Sequence, residues 1–275
     1  MTAPITSSQN PRVKAAVRLR DRRHREKQGR IRIDGARELH RAIRAGVTPI
    51  EVFVCESLCT DDEGRRALAS VAACRAEVIP VSEPVFAKLA FGDRADGLLG
   101  VAPVPTTTLA DCTLPENPLV AVLEGIEKPG NVGAVVRSAD AAGVAALVVA
   151  DGRTDLFNPN AIRASLGTIF TLPVRTATAA ATREWLRERG LTIYAARVDG
   201  SVEYTDADFR GPAALVLGSE AEGLTGVWRD DDVVPIRLPM LGAADSLNVS
   251  AAAAVLFYEA LRQRGRPSSA RGFHG

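Results

Sequence analysis

Three stretches of this 275-residue chain place glycines together with amide, hydroxyl or charged side chains directly after an apolar run. The first runs from Glu124 to Ser138 (EGIEKPGNVGAVVRS). Its glycines at 130 and 133 permit a tight strand-to-helix turn with backbone N–H groups at the helix start. Asn131 and Arg137 are its chemical groups. Six positions of helix are about 600°, or some 240° after a full turn is removed, so a helix does not set the two on one face. They serve one site if Asn131 lies in the preceding turn, or if they act across a subunit boundary. An ordinary turn with a surface arginine accounts for the same residues. The second stretch, Leu217 to Leu224 (LGSEAEGL), follows the apolar run Ala213 to Leu217. Gly218 lets a ligand approach the backbone, and Glu220 stands at a strand's carboxyl end, where open α/β sheets bind ligands. Ser219 capping a helix, with Glu222 as its box partner, is the alternative. The third stretch, Leu238 to Ser250 (LPMLGAADSLNVS), offers the neutral groups of Ser246, Asn248 and Ser250 beside an apolar wall of Pro239, Met240 and Leu247. A capped helix needs Ser246 alone, so Asn248 is the more telling residue.

What is missing narrows the chemistry. The histidines are His24, His40 and His274, and the cysteines are Cys55, Cys59, Cys74 and Cys112. The region of the three stretches therefore has neither, which removes Ser-His-Asp and Cys-His catalysis and histidine-ligated metals from it. No metal site is expected: Cys55 and Cys59 lack a second ligand pair at finger spacing. Without an export signal the thiols read as reduced. No GxGxxG or GxxxxGK[ST] pattern occurs. No run of eighteen apolar residues predicts a membrane span, and Met1 to Ile5 does not open a secretory signal. The expectation is a soluble, cytoplasmic protein.

Apolar periodicity supplies the elements that position these groups. A helix is expected over 12–28, then strands at Ile31 to Ile33, Ile50 to Cys55, Glu77 to Val81 and Gly97 to Ala102, separated by helices over 36–45, 63–74 and from Ser82 to Leu89. Residues 1–104 thus form a small α/β domain. Residues 105–118, rich in proline and threonine, read as a linker. A second α/β domain follows over 119–263, with strands at Leu119 to Leu123, Ala146 to Ala150, Ile169 to Val174, Leu191 to Ala196, Ala213 to Leu217 and Val233 to Leu238. Its helices are expected over 131–142, 161–166, 180–189 and 247–262. The short, continuous apolar strands fit a parallel sheet covered on both faces. Residues 264–275 read as a flexible polar tail.

The net charge of +1 hides an asymmetry. Residues 1–45 hold thirteen basic side chains against Asp21, Glu26, Asp34 and Glu38. Lys14, Arg18, Arg22, Arg23, Arg25, Lys27 and Arg30 make the densest part, and arginine forks suit phosphate and stacked bases. A polyanionic partner is expected for this segment, a solvated helix face being the alternative.

Taken together, NxGAxxRSA (Asn131 to Ala139), GSExxGL (Gly218 to Leu224) and LPMxGxxxSLNVSxAxA (Leu238 to Ala254) resemble the three motifs of SpoU/TrmH-type methyltransferases, a branch of the SPOUT superfamily. The stretch Asn158 to Gly167 is similar to a family segment between the first two motifs. Residues 1–104 are similar to the family's L30e-like substrate-binding module, with Asp34-Gly35 where the family often has Glu-Gly. The resemblance implies an α/β fold with a trefoil-knotted catalytic domain, a homodimer, and S-adenosylmethionine as cofactor. It implies methyl transfer to a ribose 2′-hydroxyl of RNA, ribosomal RNA first and transfer RNA as the alternative. A non-catalytic RNA-binding dimer and a base-methylating enzyme are the competing readings. By resemblance, Leu217, Gly218, Leu238, Met240 and Leu247 hold the cofactor. Asn131, Glu220, Ser246 and Asn248 shape the site around the ribose, and Arg137 is the catalytic arginine, acting in the partner's site.

Overall fold

The computed structural model describes residues 3–92 and 96–265. The tail expected over 264–275 lies outside them from residue 266 onward. The chain forms two compact units. One takes in the sequence up to Thr106 together with Asp155–Thr171; the other takes in Thr107–Thr154 and the chain from Leu172 onward.

The first unit runs α1 (Pro11–Arg18), α2 (Arg22–Gln28), β1 (Arg30–Asp34), α3 (Ala36–Arg44), β2 (Glu51–Val54), α4 (Asp62–Ala73), β3 (Glu77–Pro80), α5 (Glu83–Leu89) and β4 (Leu98–Pro103). Its sheet has the order β1-β4-β2-β3, with β4 antiparallel to both neighbours and β2 parallel to β3. Val13, Leu19, Phe53, Phe86 and Leu99 pack in one of its cores. The single helix expected over 12–28 is two. Asn10 and Pro11 open α1, and Asp21 opens α2 by accepting from the Arg23 N–H, so an Asp that looked like one charge among many is a start signal. All four cysteines are free; burial pushes the Cys59 thiol up to about 11.

The second unit holds β5 (Leu119–Glu124), α6 (Pro129–Ala141) and β6 (Ala146–Ala150), and then, beyond α7 (Pro159–Ala164) of the first unit, β7 (Val174–Ala177), α8 (Ala179–Glu188), β8 (Thr192–Ala196), β9 (Val202–Glu203), β10 (Ala213–Leu217), β11 (Val233–Arg237) and α9 (Val249–Arg264). Its seven strands are all parallel, in the order β7-β6-β5-β10-β8-β11-β9. β5, β6 and β10 are buried along their whole length, as their unbroken apolar runs require. β10 lies between β5 and β8, so the chain returns to the middle of a sheet it has already laid down.

Two expectations are corrected here. The second domain was expected to be continuous from 119 to 263, but Asp155–Thr171 packs with the first unit. The reason is local: Pro159, Ala161 and Ile162 are buried, and Asp155 pairs with the buried Arg25 at 2.6 Å. The strand expected at Ile169 to Val174 is a short 3-10 turn, Thr168–Phe170, followed by β7. Gly167, at φ 79°, bends the chain immediately before the turn. No helix among the described residues is long and apolar enough to cross a membrane.

Candidate functional site

The three motif loops meet because of strand order. β5 and β10 are neighbours in register, Leu123 opposite Leu217, so the loops after them leave the sheet side by side. A buried carboxylate ties them together: Glu124, at the end of β5, accepts from the Thr225 N–H (2.8 Å) and hydroxyl (2.7 Å) beyond the second motif. α9, which follows the third motif, packs on α6, which carries the first.

Glu220 is the meeting point. Its Oε1 accepts from Asn131 Nδ2 at 3.1 Å and from Asn248 Nδ2, and its Oε2 accepts from Lys128 Nζ at 3.0 Å. Asn131 Oδ1 receives only a long contact, 3.5 Å, from Asn248 Nδ2. The Lys128 ammonium, with a smaller contribution from Asn131, holds the Glu220 carboxyl below its usual range, so Glu220 is an acceptor-only carboxylate at neutral pH.

Asn248 has a second task. Its Oδ1 accepts from the Ser250 N–H at 3.0 Å and the Ser250 hydroxyl at 2.6 Å, which makes it the N-cap of α9. The reading that a cap needs Ser246 and not Asn248 is therefore corrected: α9 begins two residues later than expected, and Asn248 divides its amide between helix and site. Ser219 does accept from the Glu222 N–H at 3.0 Å, yet it closes a tight bridge to Gly223 rather than opening a helix. Gly130 and Gly133 lie inside α6, and the left-handed turn residue ahead of it is Gly125, at φ 64°.

Two cavities flank the Ser219–Glu222 loop. The larger, about 520 Å³, is lined by Leu217, Gly218, Leu238, Met240 and Leu247, and by Glu220 and Ser246. Its size is that of a small-molecule site. All five residues expected to hold a cofactor line it, and its walls mix apolar residues such as Leu217, Leu238 and Leu247 with the charged Arg197, Asp199, Arg229 and Asp245. Gly218 lets the loop close on itself: a Cβ there would stand 2.3 Å from the Gly223 carbonyl carbon and oxygen. The smaller cavity, about 230 Å³, is polar and is lined by Lys128, Asn131, Arg153, Glu220 and Glu222 among others. Arg153 bridges Glu127 (2.9 Å) and Glu222 (3.0 Å). Sequence reasoning missed Lys128, Arg153 and Glu124. A cation beside a turn proline and a carboxylate ending an apolar strand have many uses, and only the strand order shows which apply here.

Arg137 stands apart. It is exposed on α6, lines neither cavity, and makes no hydrogen bond or ion pair among the described residues. Asn131, in the first turn of the same helix, points to Glu220. The 240° between the two is thus realised, and one protomer does not bring them together. Among the described residues no group of three or more His, Cys, Asp or Glu side chains is placed to hold a metal.

In the first unit the basic segment divides. Lys14 and Arg18 are exposed one turn apart on α1, and Arg23 and Lys27 one turn apart on α2, and their side chains make no hydrogen bond or ion pair among the described residues. Arg30 is half-buried at the start of β1, and Arg22 pairs with Glu26 at 2.7 Å. Arg25 is a correction. Only 2% exposed, it donates to Asp155 at 2.7 Å and to the Leu19 and Arg20 carbonyls at 2.8 and 2.7 Å. It braces the turn between α1 and α2 and is not open to a ligand.

Comparison with known proteins agrees with this geometry. The SpoU rRNA Methylase family model matches residues 118–258, and the MRM3-like substrate binding domain matches residues 10–100. The chain is 31% identical over 253 residues to a 23S rRNA (uridine(2479)-2′-O)-methyltransferase of Streptomyces viridochromogenes, covering 90% of this chain and 87% of the relative. A crystal structure of an RNA 2′-O ribose methyltransferase is similar with a TM-score of 0.83 and 41% identity, over 95% of this chain and 99% of that one. The AdoMet-bound rRNA methyltransferase of Sinorhizobium meliloti is similar with a TM-score of 0.84 and 27% identity, over 94% and 97%. With three motif loops gathered on one carboxylate and a family model spanning just over half of its length, the chain belongs to the SpoU rRNA methylase family.

Proposed function

We propose that this protein methylates a ribose 2′-hydroxyl of ribosomal RNA with S-adenosylmethionine, as a homodimer with a trefoil-knotted catalytic domain and an L30e-like RNA-binding domain. The observation that carries the reading is the convergence of Asn131 and Asn248 on Glu220 beside a cavity of about 520 Å³ lined by residues of the second and third motifs. The names of the relatives support ribosomal RNA as substrate and S-adenosylmethionine as donor. The trefoil knot is what the resemblance to the family implies, and the return of β10 between β5 and β8 accords with it.

When bound, S-adenosylmethionine supplies a methyl group already activated on a sulfonium, so alignment and removal of one proton are what the protein must add. Leu217, Gly218, Leu238, Met240 and Leu247 fit its adenosine part. Asn131, Ser246 and Asn248 orient the ribose, and Glu220 fixes the two amides. With the donor bound, these residues would hold the ribose oxygen toward the methyl group, and the hydroxyl proton would have to be released. A guanidinium offers five N–H donors and no acceptor, so Arg137 is not placed as the base. It acts instead by orienting the hydroxyl and a nearby phosphate and by stabilising developing negative charge. Its placement outside both cavities of its own protomer supports action in the partner's site. α9 supports a subunit interface as well, because Ala251, Val255 and Tyr258 expose apolar surface at helical spacing while the opposite side is already buried. Lys14, Arg18, Arg23 and Lys27 hold phosphates.

The test is calorimetric titration with S-adenosylmethionine, then methylation of in vitro-transcribed 23S rRNA and mapping of the modified ribose. Binding followed by a single 2′-O-methylated position is expected. Absence of donor binding, with RNA supplied, overturns the reading.

A further inference from the structure

The amide of Asn131 faces a choice that its neighbours must settle. An asparagine amide donates at one end and accepts at the other, and its two orientations have nearly the same shape. Asn248 has no such freedom, because its Oδ1 is held by the Ser250 N–H and hydroxyl. Asn131, which lines the smaller cavity, has no comparable anchor: its Nδ2 faces Glu220, and its Oδ1 has only the 3.5 Å contact from Asn248. The orientation therefore depends on Glu220 being an acceptor. A protonated Glu220 would carry a hydroxyl donor and favour the opposite end of the amide.

Lys128 is the cation that faces Glu220. Across the smaller cavity Arg153 is engaged with Glu127 and Glu222. On the side of the larger cavity Arg197 is engaged with Asp199, with Arg229 3.9 Å from the same carboxylate, and Asp245 adds a further negative charge. We propose that Lys128 is a positioning residue for the methyl transfer: through Glu220 it determines that the Asn131 oxygen, and not its NH₂, is offered to the acceptor hydroxyl. The oxygen can then receive the hydroxyl proton's hydrogen bond and turn a lone pair of the ribose oxygen toward the methyl group. The direction of the pH effect follows. Glu220 titrates below the usual range because of Lys128, so the correct orientation is held above that depressed value and lost as pH falls through it.

The test compares the full-length protein with Lys128→Met and Lys128→Arg. The side chain is 73% exposed, so both variants fold. Carbon-detected NMR follows the Glu220 carboxyl through an acid titration, and kcat is measured against pH on 23S rRNA transcript. In Lys128→Met the Glu220 titration and the acid limb of kcat are expected to move upward together, with a severalfold loss at the acid end. Lys128→Arg restores both, and affinity for S-adenosylmethionine stays unchanged because Lys128 lies outside the larger cavity. An acid limb that stays in place, or a Glu220 titration that moves while kcat does not, overturns the proposal. The kinetic arm rests on the function proposed above, whereas the titration does not. A wild-type protein that methylates no RNA would sink that function, and a Glu220 titration indifferent to Lys128 would sink this inference alone.

Discussion

The two units use charge in opposite ways. In the first, cations are many, and most of those left exposed are alike: Lys14, Arg18, Arg23 and Lys27 stand on two short helices without partners among the described residues. In the second, a few polar groups meet at one carboxylate: Asn131 and Asn248 share Glu220 Oε1, and Lys128 takes Oε2. Repeated exposed cations contribute in small, roughly equal steps. A closed network fails when one member is lost, since its remaining polar groups are left unpaired.

The largest effect is expected at Arg137. Arg137→Ala should lower kcat by on the order of 10²–10³-fold with donor affinity intact, the scale of losing one transition-state donor. Mixing it with Asn248→Ala should then recover activity, because a hybrid dimer has one pocket with an intact Asn248 facing an intact Arg137. No recovery would place Arg137 in its own protomer's site and break the argument for a shared one. Next comes Gly218→Ala, whose Cβ would meet the Gly223 backbone. Donor affinity should fall by at least about tenfold by calorimetry, roughly the 1.4 kcal/mol per decade of any binding loss. Arg25→Ala sharpens the contrast within the first unit. It should cost about 2–3 kcal/mol in denaturant unfolding, by stranding Asp155 and two carbonyls. The salt dependence of RNA binding should stay as it is. The smallest effects belong to Lys14→Ala, Arg18→Ala, Arg23→Ala and Lys27→Ala. Each should weaken RNA binding a few-fold and lower the slope of log affinity against log salt by about one. One of them abolishing binding outright would mean that the basic surface is itself a specific site.

What the sequence made legible follows the same division. The motif loops were readable because glycine and polar residues interrupt apolar strands at positions where backbone geometry leaves little choice. The boundaries of β6 and β10 came out as expected because both are unbroken apolar runs, ended by Asp151 and Gly218. The central position of β10 was not readable, since no local pattern says which strand it lies beside. The burial of Arg25 was hidden because its partner, Asp155, is 130 residues away, in a segment that leaves the second unit. Arg137 was singled out from resemblance, and its exposed position on α6 is what gives that assignment a geometry to test.

Asn248 ties the site to a helix end. Because one amide both caps α9 and reaches Glu220, fraying of the first helical turn and loosening of the pocket are one opening event. A ligand that favours the closed pocket must therefore slow solvent exchange of the amides at Ser250 and Ala251.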